Sequence, residues 1–364
     1  MSFSEADVQG ALKNLIDPNT KKDFGSGKTV KNIKISGNDV SLDIVLGYPA
    51  KSVWDEIRAM IEAHLKAALP GSGNISVNVT SKVVQHTVQH GAKLVDGVRN
   101  IIAVASGKGG VGKSTTAVNI ALALAAEGAR VGMLDADIYG PSQPTMLGIS
   151  GQPATDGEHF MTPMSNYGLQ AMSIGFLIAS DDTPMIWRGP MVTQALDQLL
   201  RQTRWDDLDY LIVDLPPGTG DIQLSLAQQV PLTGAVIVTT PQDIALMDAR
   251  KGLKMFEKVG VKIVGIVENM STHICSKCGH EEHIFGSGGG EKMCADYDTE
   301  FLGSLPLDIR IREQTDSGKP TVVSDPDGNI AKSYKQIARR IAVKVAEMAQ
   351  NRTAVFPKVV VQNT

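Results

Sequence analysis

Residues 101–126 run from an apolar stretch, "IIAVAS", through "GKGGVGKS" into "TTAVNIALALAA". Nothing else in the chain narrows the possible folds as much. Gly107, four further residues and then Gly112-Lys113-Ser114 is the spacing of a phosphate-binding loop. In such a loop backbone N–H groups cradle phosphates, the lysine reaches the outer phosphates and the hydroxyl meets Mg²⁺. The apolar run before it reads as a buried strand ending at Ser106. The run after it reads as a helix beginning near Lys113, whose N-terminus adds its dipole and free N–H groups.

The alternation continues. "ARVGMLD", "DYLIVDL", "GAVIVTT" and "KIVGIVENM" are further short strands of the buried type, and helical patterns such as "IALMDARKGLKMFEKVG" separate several of them. The expected fold class is α/β, a mostly parallel sheet flanked by helices. A small α/β unit precedes it. There "SEADVQGALKNLI" sets Val8, Leu12 and Leu15 at helical spacing, "VKNIKISGNDVSLDIVL" is two strands turned at Gly37-Asn38, "KSVWDEIRAMIEAHLKAAL" is an amphipathic helix and "NISVNVTSKVV" a last strand. The expected organisation is a small domain at 1–84, a linker at 85–99, the nucleotide domain at 100–350 and a tail at 351–364. In the final helix, about Ile330 to Met348, one face carries Tyr334, Ile337, Ile341, Val345 and Met348, with Lys332, Lys335, Arg339, Arg340 and Lys344 elsewhere. That face is expected to dock on the chain's own sheet rather than on a membrane.

Composition sets the partners. Over 364 residues, 42% are hydrophobic and 20% charged, and the net charge is −4. The chain reads as globular with no broad positive field for nucleic acid. No apolar run approaches the ~20 residues that span a bilayer, and "MSFSEADVQG" has no signal-peptide pattern. A cytoplasmic protein with neither nucleic acid nor membrane as partner is expected. Three cysteines, Cys275, Cys278 and Cys294, do not make a disulfide framework; a close pair in a reducing compartment points to metal or redox chemistry.

Other side chains belong beside the loop. Asp214 ends an apolar strand ahead of the glycine-bearing, switch-like "PPGTGD", where a carboxylate can hold Mg²⁺ through water. Asp135 and Asp137 lie beyond another strand end, so both can point into the crevice at the sheet's carboxyl edge. One can orient the attacking water; capping of the next turn is an equal reading for Asp135. Lys108 is surplus to the phosphate loop.

In "NMSTHICSKCGHEEHIFGSGGGEKMC" the spacing of Cys275 and Cys278 lets two thiolates face one metal centre. A common iron–sulfur cluster takes four thiolates. Either His273, His280 or His283 completes a zinc site within the chain, or a second chain completes the set. Cys294 stands at no recognised ligand spacing and is left out.

The run Lys108 to Ser114, with "DADIYGPS" and "DLPPGTGD", resembles the deviant Walker A ATPases, the group of MinD, ParA and the nitrogenase iron protein. The resemblance implies ATP, slow hydrolysis and a homodimer in which Lys108 reaches the partner's nucleotide. By matching motifs, Gly107, Lys108, Gly109, Gly110, Val111, Gly112, Lys113, Ser114 and Thr115 line the phosphates. Ser114 binds Mg²⁺, Asp137 activates water, Asp214 takes the Mg²⁺-linked role and Asn269 contacts the base. Together with "WRGPMVTQAL" and a C-x-x-C after "NMS", the chain from Asn100 to the final helix is similar to the Mrp/ApbC family, ATP-binding carriers or scaffolds for iron–sulfur clusters. The front unit, through "LIDPNT", resembles the small domain of iron–sulfur assembly factors, but no cysteine precedes Cys275. The implied function is an ATPase that holds a labile 4Fe–4S cluster at a dimer-bridging C-x-x-C and hands it to apo iron–sulfur proteins, with cluster assembly factors as further partners. A positioning ATPase of the MinD/ParA kind with a structural zinc, and a reductase that keeps its cluster, are the alternatives.

Overall fold

The computed structural model describes residues 3–85, 93–157, 160–178, 189–275 and 277–355. Residues 86–92 of the expected linker, Trp187 and Arg188 of "WRGPMVTQAL", and residues 356–364 of the expected tail lie outside the described residues. The chain divides into two compact units, residues 1–84 with 126–128, and residues 85–125 with 129–364.

The first unit contains α1 (Glu5–Leu12), β1 (Val30–Ser36), β2 (Asp39–Leu46), α2 (Trp54–Ala68) and β3 (Ile75–Ser81). Ser4 caps α1, its side chain accepting from the Asp7 backbone while the Asp7 carboxylate accepts from the Ser4 backbone. Strands β1 and β2 pair antiparallel around the Gly37-Asn38 turn, and β3 joins β2 in parallel after α2. The apolar stripe of α2, Ile57, Ile61 and Leu65, is buried, as are Val8 and Leu12 of α1. Leu15, expected on the α1 face, falls beyond the helix end, where the chain turns into an isolated bridge between Ile16 and Asp23. In "LIDPNT" the buried Asp17 carboxylate accepts from the Tyr48 hydroxyl at 2.8 and 3.0 Å and from the Asn19 backbone at 2.9 Å. These bonds give that acidic residue a fastening role within the unit.

The second unit runs β4 (Ile101–Ala105), α3 (Lys113–Ala126), β5 (Val131–Asp135), α4 (Gln143–Met146), β6 (Met164–Asn166), β7 (Leu169–Ser173), α5 (Gly189–Arg201), β8 (Tyr210–Asp214), α6 (Asp221–Gln229), β9 (Gly234–Thr239), α7 (Asp243–Lys258) and β10 (Ile263–Glu268). A short hairpin, β11 (His273–Ile274) and β12 (Glu281–Glu282), precedes α8 (Gly289–Asp296), β13 (Phe301–Ser304), α9 (Ile309–Asp316), α10 (Thr321–Ser324) and α11 (Asn329–Val355). Among the described residues the main sheet has the order β13-β10-β9-β4-β8-β5-β7-β6. It is parallel except for β6, which pairs antiparallel with β7.

Every residue of β4, β5, β8 and β9 is buried. This is why these strands read as continuous apolar runs rather than alternating ones. Each large aliphatic side chain buried there contributes about 1.5–3 kcal/mol. The chain leaves β4 toward β5 on one side while β9 lies on the other, so the loop after β4 opens at a topological switch point, the usual ligand crevice of such sheets. Helix α11 packs against β10 and β13; Tyr334, Ile337, Ile341, Val345 and Met348 are all buried. It continues to Val355, past the expected end near Met348. No helix among the described residues is long and apolar enough to cross a membrane.

Candidate nucleotide site and cysteine hairpin

The phosphate loop is shaped by what touches its glycines. Gly107 lies against the α7 backbone at Asp248 and Ala249, so that any Cβ there would collide with main chain. Gly112 has φ +80°, a conformation that favours glycine, and a Cβ on it would strike the Asn269 amide. Asn269 follows β10 and donates its Nδ2 to the Val111 carbonyl at 2.9 Å. The Thr116 N–H bonds the Gly112 carbonyl at 2.9 Å, which starts α3. The segment after β8 is laced to the same loop, with Leu215 N–H on the Val104 carbonyl and Gly218 N–H on the Ser106 carbonyl, both at 3.0 Å.

Lys113, only 6% exposed, points back to the sheet edge, where its Nζ donates to Asp214 Oδ1 and, at 3.0 Å, to Ser114 Oγ. Asp214 and Asp135 are register partners on adjacent parallel strands, so their carboxyl groups end side by side. Both are fully buried. Asp135 accepts from the backbone N–H groups of Asp137, Ser142 and Gln143 at 3.2, 3.0 and 3.1 Å and from Ser173 Oγ at 3.1 Å. It therefore folds the loop 137–143 around itself, the turn-holding role of the two readings. Asp137 is half-buried; burial pushes its carboxyl above the ordinary range, with the Lys113 ammonium opposing and Asp214 adding.

Burial and the neighbouring Asp214 charge push the Asp135 carboxyl up to about 7 from its ordinary 3.8. The native protein thus holds a proton in that interval which the unfolded chain has released, so stability must fall as pH rises through about 7. For nucleotide-free protein without divalent cation, the unfolding free energy read from denaturant melts should drop between about pH 5 and about pH 8 by an amount on the order of a few kcal/mol. Asp135→Asn should flatten that drop. An unchanged pH dependence in the variant would contradict the assignment.

Cys275 and Cys278 occupy the tip of the β11–β12 hairpin. Cys275 N–H bonds the His280 carbonyl at 2.9 Å and Gly279 N–H bonds the Cys275 carbonyl at 2.8 Å, closing the turn. Cys275 is half-buried and Cys278 exposed. The backbone N–H groups of Cys278 and Lys277, with the Cys278 thiol, donate to the Cys275 sulfur and hold its pKa below the usual thiol range. The histidines are engaged elsewhere. His273 Nδ1 meets the Leu307 carbonyl at 3.0 Å, His283 Nδ1 the Ser271 carbonyl at 2.8 Å, and His280 lies beside Glu282. Among the described residues no three Cys, His, Asp or Glu side chains gather to hold a metal ion. Cys294 is buried on α8.

The structure thus gathers Lys113, Ser114, Asp214, Asp135 and Asp137 at one edge and sets Asn269 on the loop itself. No side-chain partner is seen for Lys108 among the described residues. Sequence reasoning missed Gln143 and Ser173. A glutamine one residue past "DADIYGPS" carries no spacing signal, and Ser173 reaches Asp135 only through sheet pairing.

A family model described as NUBPL iron-transfer P-loop NTPase matches residues 97–342, and one described as iron-sulfur cluster assembly protein matches residues 5–79. The iron-sulfur cluster carrier protein of Escherichia coli K12 is 50% identical over 340 residues, covering 93% of this chain and 91% of that one. The mouse iron-sulfur cluster transfer protein NUBPL is 54% identical over 251 residues, covering 68% of this chain and 78% of that one. Among solved structures, a nucleotide-binding protein from Archaeoglobus fulgidus in complex with ADP aligns with a TM-score of 0.56 at 35% identity, over 65% of this chain and 92% of that one.

Proposed function

The chain belongs to the NUBPL iron-transfer P-loop NTPase family, and from that premise we propose that it is a homodimeric, ATP-hydrolysing carrier that holds an iron–sulfur cluster at Cys275 and Cys278 and passes it to apoproteins. The observation that carries the reading is the thiol pair at the tip of a hairpin, Cys278 exposed and Cys275 half-buried, with backbone donors holding the Cys275 pKa below the usual thiol range. One chain brings two thiolates and a 4Fe–4S cluster takes four, so two hairpins face each other across a two-fold axis. The cluster is cargo, held at hairpin tips on which Cys278 is exposed.

At the sheet edge, Lys113 exchanges Asp214 for the outer phosphates when ATP enters the loop. Ser114 Oγ and the Asp214 carboxylate both lie at Lys113 Nζ, and two oxygen donors suit a Mg²⁺ ion that takes its remaining ligands from phosphates and water. Bound there, Mg²⁺ would neutralise charge on the phosphate oxygens. Asp137, its carboxyl raised above the usual range by burial, orients the attacking water and accepts its proton. Asn269 presents its amide to the base. Lys108 completes the site of the second copy, so hydrolysis is slow in the monomer. Exposed Ile244 and Met247 on α7, whose next residues pack on Gly107, are apolar surface that the second copy covers. Unpaired thiols suit a reducing compartment, which supports reading the activity as cytoplasmic.

Carriage separates from electron transfer by where the iron ends. Reconstituted protein mixed with an apo ferredoxin-type acceptor and then separated from it should lose its visible absorbance as the acceptor gains it. Retention of iron and colour by the protein, with the apo acceptor staying colourless, would assign the reductase alternative.

A further inference from the structure

Gln143 joins three segments of the nucleotide edge. Its backbone N–H donates to Asp135 at 3.1 Å, and its side-chain Nε2 donates to Asp214 Oδ2 at 2.9 Å and to the Ser114 carbonyl at 3.2 Å. Both side-chain partners are acceptors, which fixes the orientation of the amide. The residue is 1% exposed. The Asp214 carboxylate is thereby held at both oxygens, by Lys113 on Oδ1 and by Gln143 on Oδ2. Gln143 Oε1 and the adjacent Ser142 Oγ are buried without a hydrogen-bond partner among the described residues, so the amide sits there for its donor side, not because its surroundings satisfy all of it.

We propose that Gln143 is a positioning residue for hydrolysis: when Lys113 turns to the phosphates, the Gln143 amide keeps Asp214 in place and ties it to the loop that carries Asp137. The proposal rests on the reading of this edge as an ATP-hydrolysing site. A carboxylate that loses its cation at one oxygen is free to rotate unless the other oxygen is held. Gln143 does the holding, and its own main chain is anchored to Asp135. The loop 137–143 and the end of β8 therefore move as one piece, and the distance from Asp137 to the first turn of α3 is preserved through the exchange.

Gln143→Met tests this, because methionine keeps the length and volume and donates nothing. In the full chain, kcat should fall about 10–100-fold, as is usual when a group orienting a metal-linked ligand is lost, with KM for ATP changed less than about threefold. ADP affinity, read with a fluorescent analogue, should stay near that of the unsubstituted protein. With a non-hydrolysable ATP analogue bound, the amides of Asp137, Ser142 and Gln143 should exchange hydrogen about tenfold faster in the variant. A space-filling role predicts the opposite, that methionine restores kcat to within about twofold; that result, or KM rising in step with the fall in kcat, overturns the proposal. If Gln143→Met does not fold, Gln143→Asn, which keeps the amide but cannot span both acceptors, carries the same expectations. Asp137→Ala measured alongside separates the failures. If it retains full turnover, the hydrolysis reading itself is wrong; if it is inactive while Gln143→Met is active, only the role of Gln143 is.

Discussion

Cys275→Ala or Cys278→Ala should leave anaerobically reconstituted protein colourless, while Cys294→Ala stays brown. The pair stands at an exposed hairpin tip with local donors to one sulfur, and removing either thiol takes a ligand from both halves of a four-thiolate set. Cys294 is buried, and burial, followed by the carboxylates of Glu300, Glu291 and Glu268, pushes its thiol up to about 12. A thiol so disposed offers no thiolate to iron. Transfer to an acceptor should fall to background in both pair variants, whereas their ATP hydrolysis should remain within about twofold, because the phosphates and the thiolates are held by different loops. Colour lost equally in Cys294→Ala would require a different ligand set.

Lys113→Ala should abolish turnover, a fall of at least about 100-fold, since the ammonium is the main positive charge the loop offers to the transferring phosphoryl group. It should also cost stability, about 3–5 kcal/mol, because the fully buried Asp214 would lose its cation. A thermal midpoint measured beside the kinetics separates the two losses. Lys108→Ala is expected to differ, binding nucleotide normally yet hydrolysing poorly. Mixed with Asp137→Ala it should recover activity at one composite site, where the intact lysine of one chain meets the intact aspartate of the other. Random pairing limits that recovery to about a quarter of full activity, with half the dimers mixed and one working site in each. Equal loss of nucleotide binding in both lysine variants would remove the separate role of Lys108.

The sequence announced the parts whose signal is local. Strands β4, β5, β8, β9 and β10 were legible because they are buried on both faces and so read as uninterrupted apolar runs. The α11 face was legible from its helical period, and the phosphate loop from glycines that the Asp248 backbone and the Asn269 amide demand. What escaped depends on the sheet. Strand β6 is only three residues long, too short to show a period, and β7, "LQAMS", is interrupted by Gln170 and ends on Ser173, so it does not read as a continuous apolar run. The turn-holding place of Asp135 could not be read from two acids spaced two apart. It follows from Asp135 lying beside Asp214 on the neighbouring strand, facing three backbone N–H groups of the loop that returns over it. The histidines near the cysteines illustrate the same limit. Proximity in sequence made them candidate zinc ligands, while in the fold His273 and His283 fasten the hairpin's base to the Leu307 and Ser271 carbonyls.

The central claim is that two chains share one cluster through two C-x-x-C turns. Iron, acid-labile sulfide and zinc counted per chain after anaerobic reconstitution, together with the mass of the species in solution, test it most directly. The account predicts a brown dimer with about two iron and two sulfide per chain, that is, one 4Fe–4S cluster per pair. A colourless protein with one tightly held zinc per chain would contradict it.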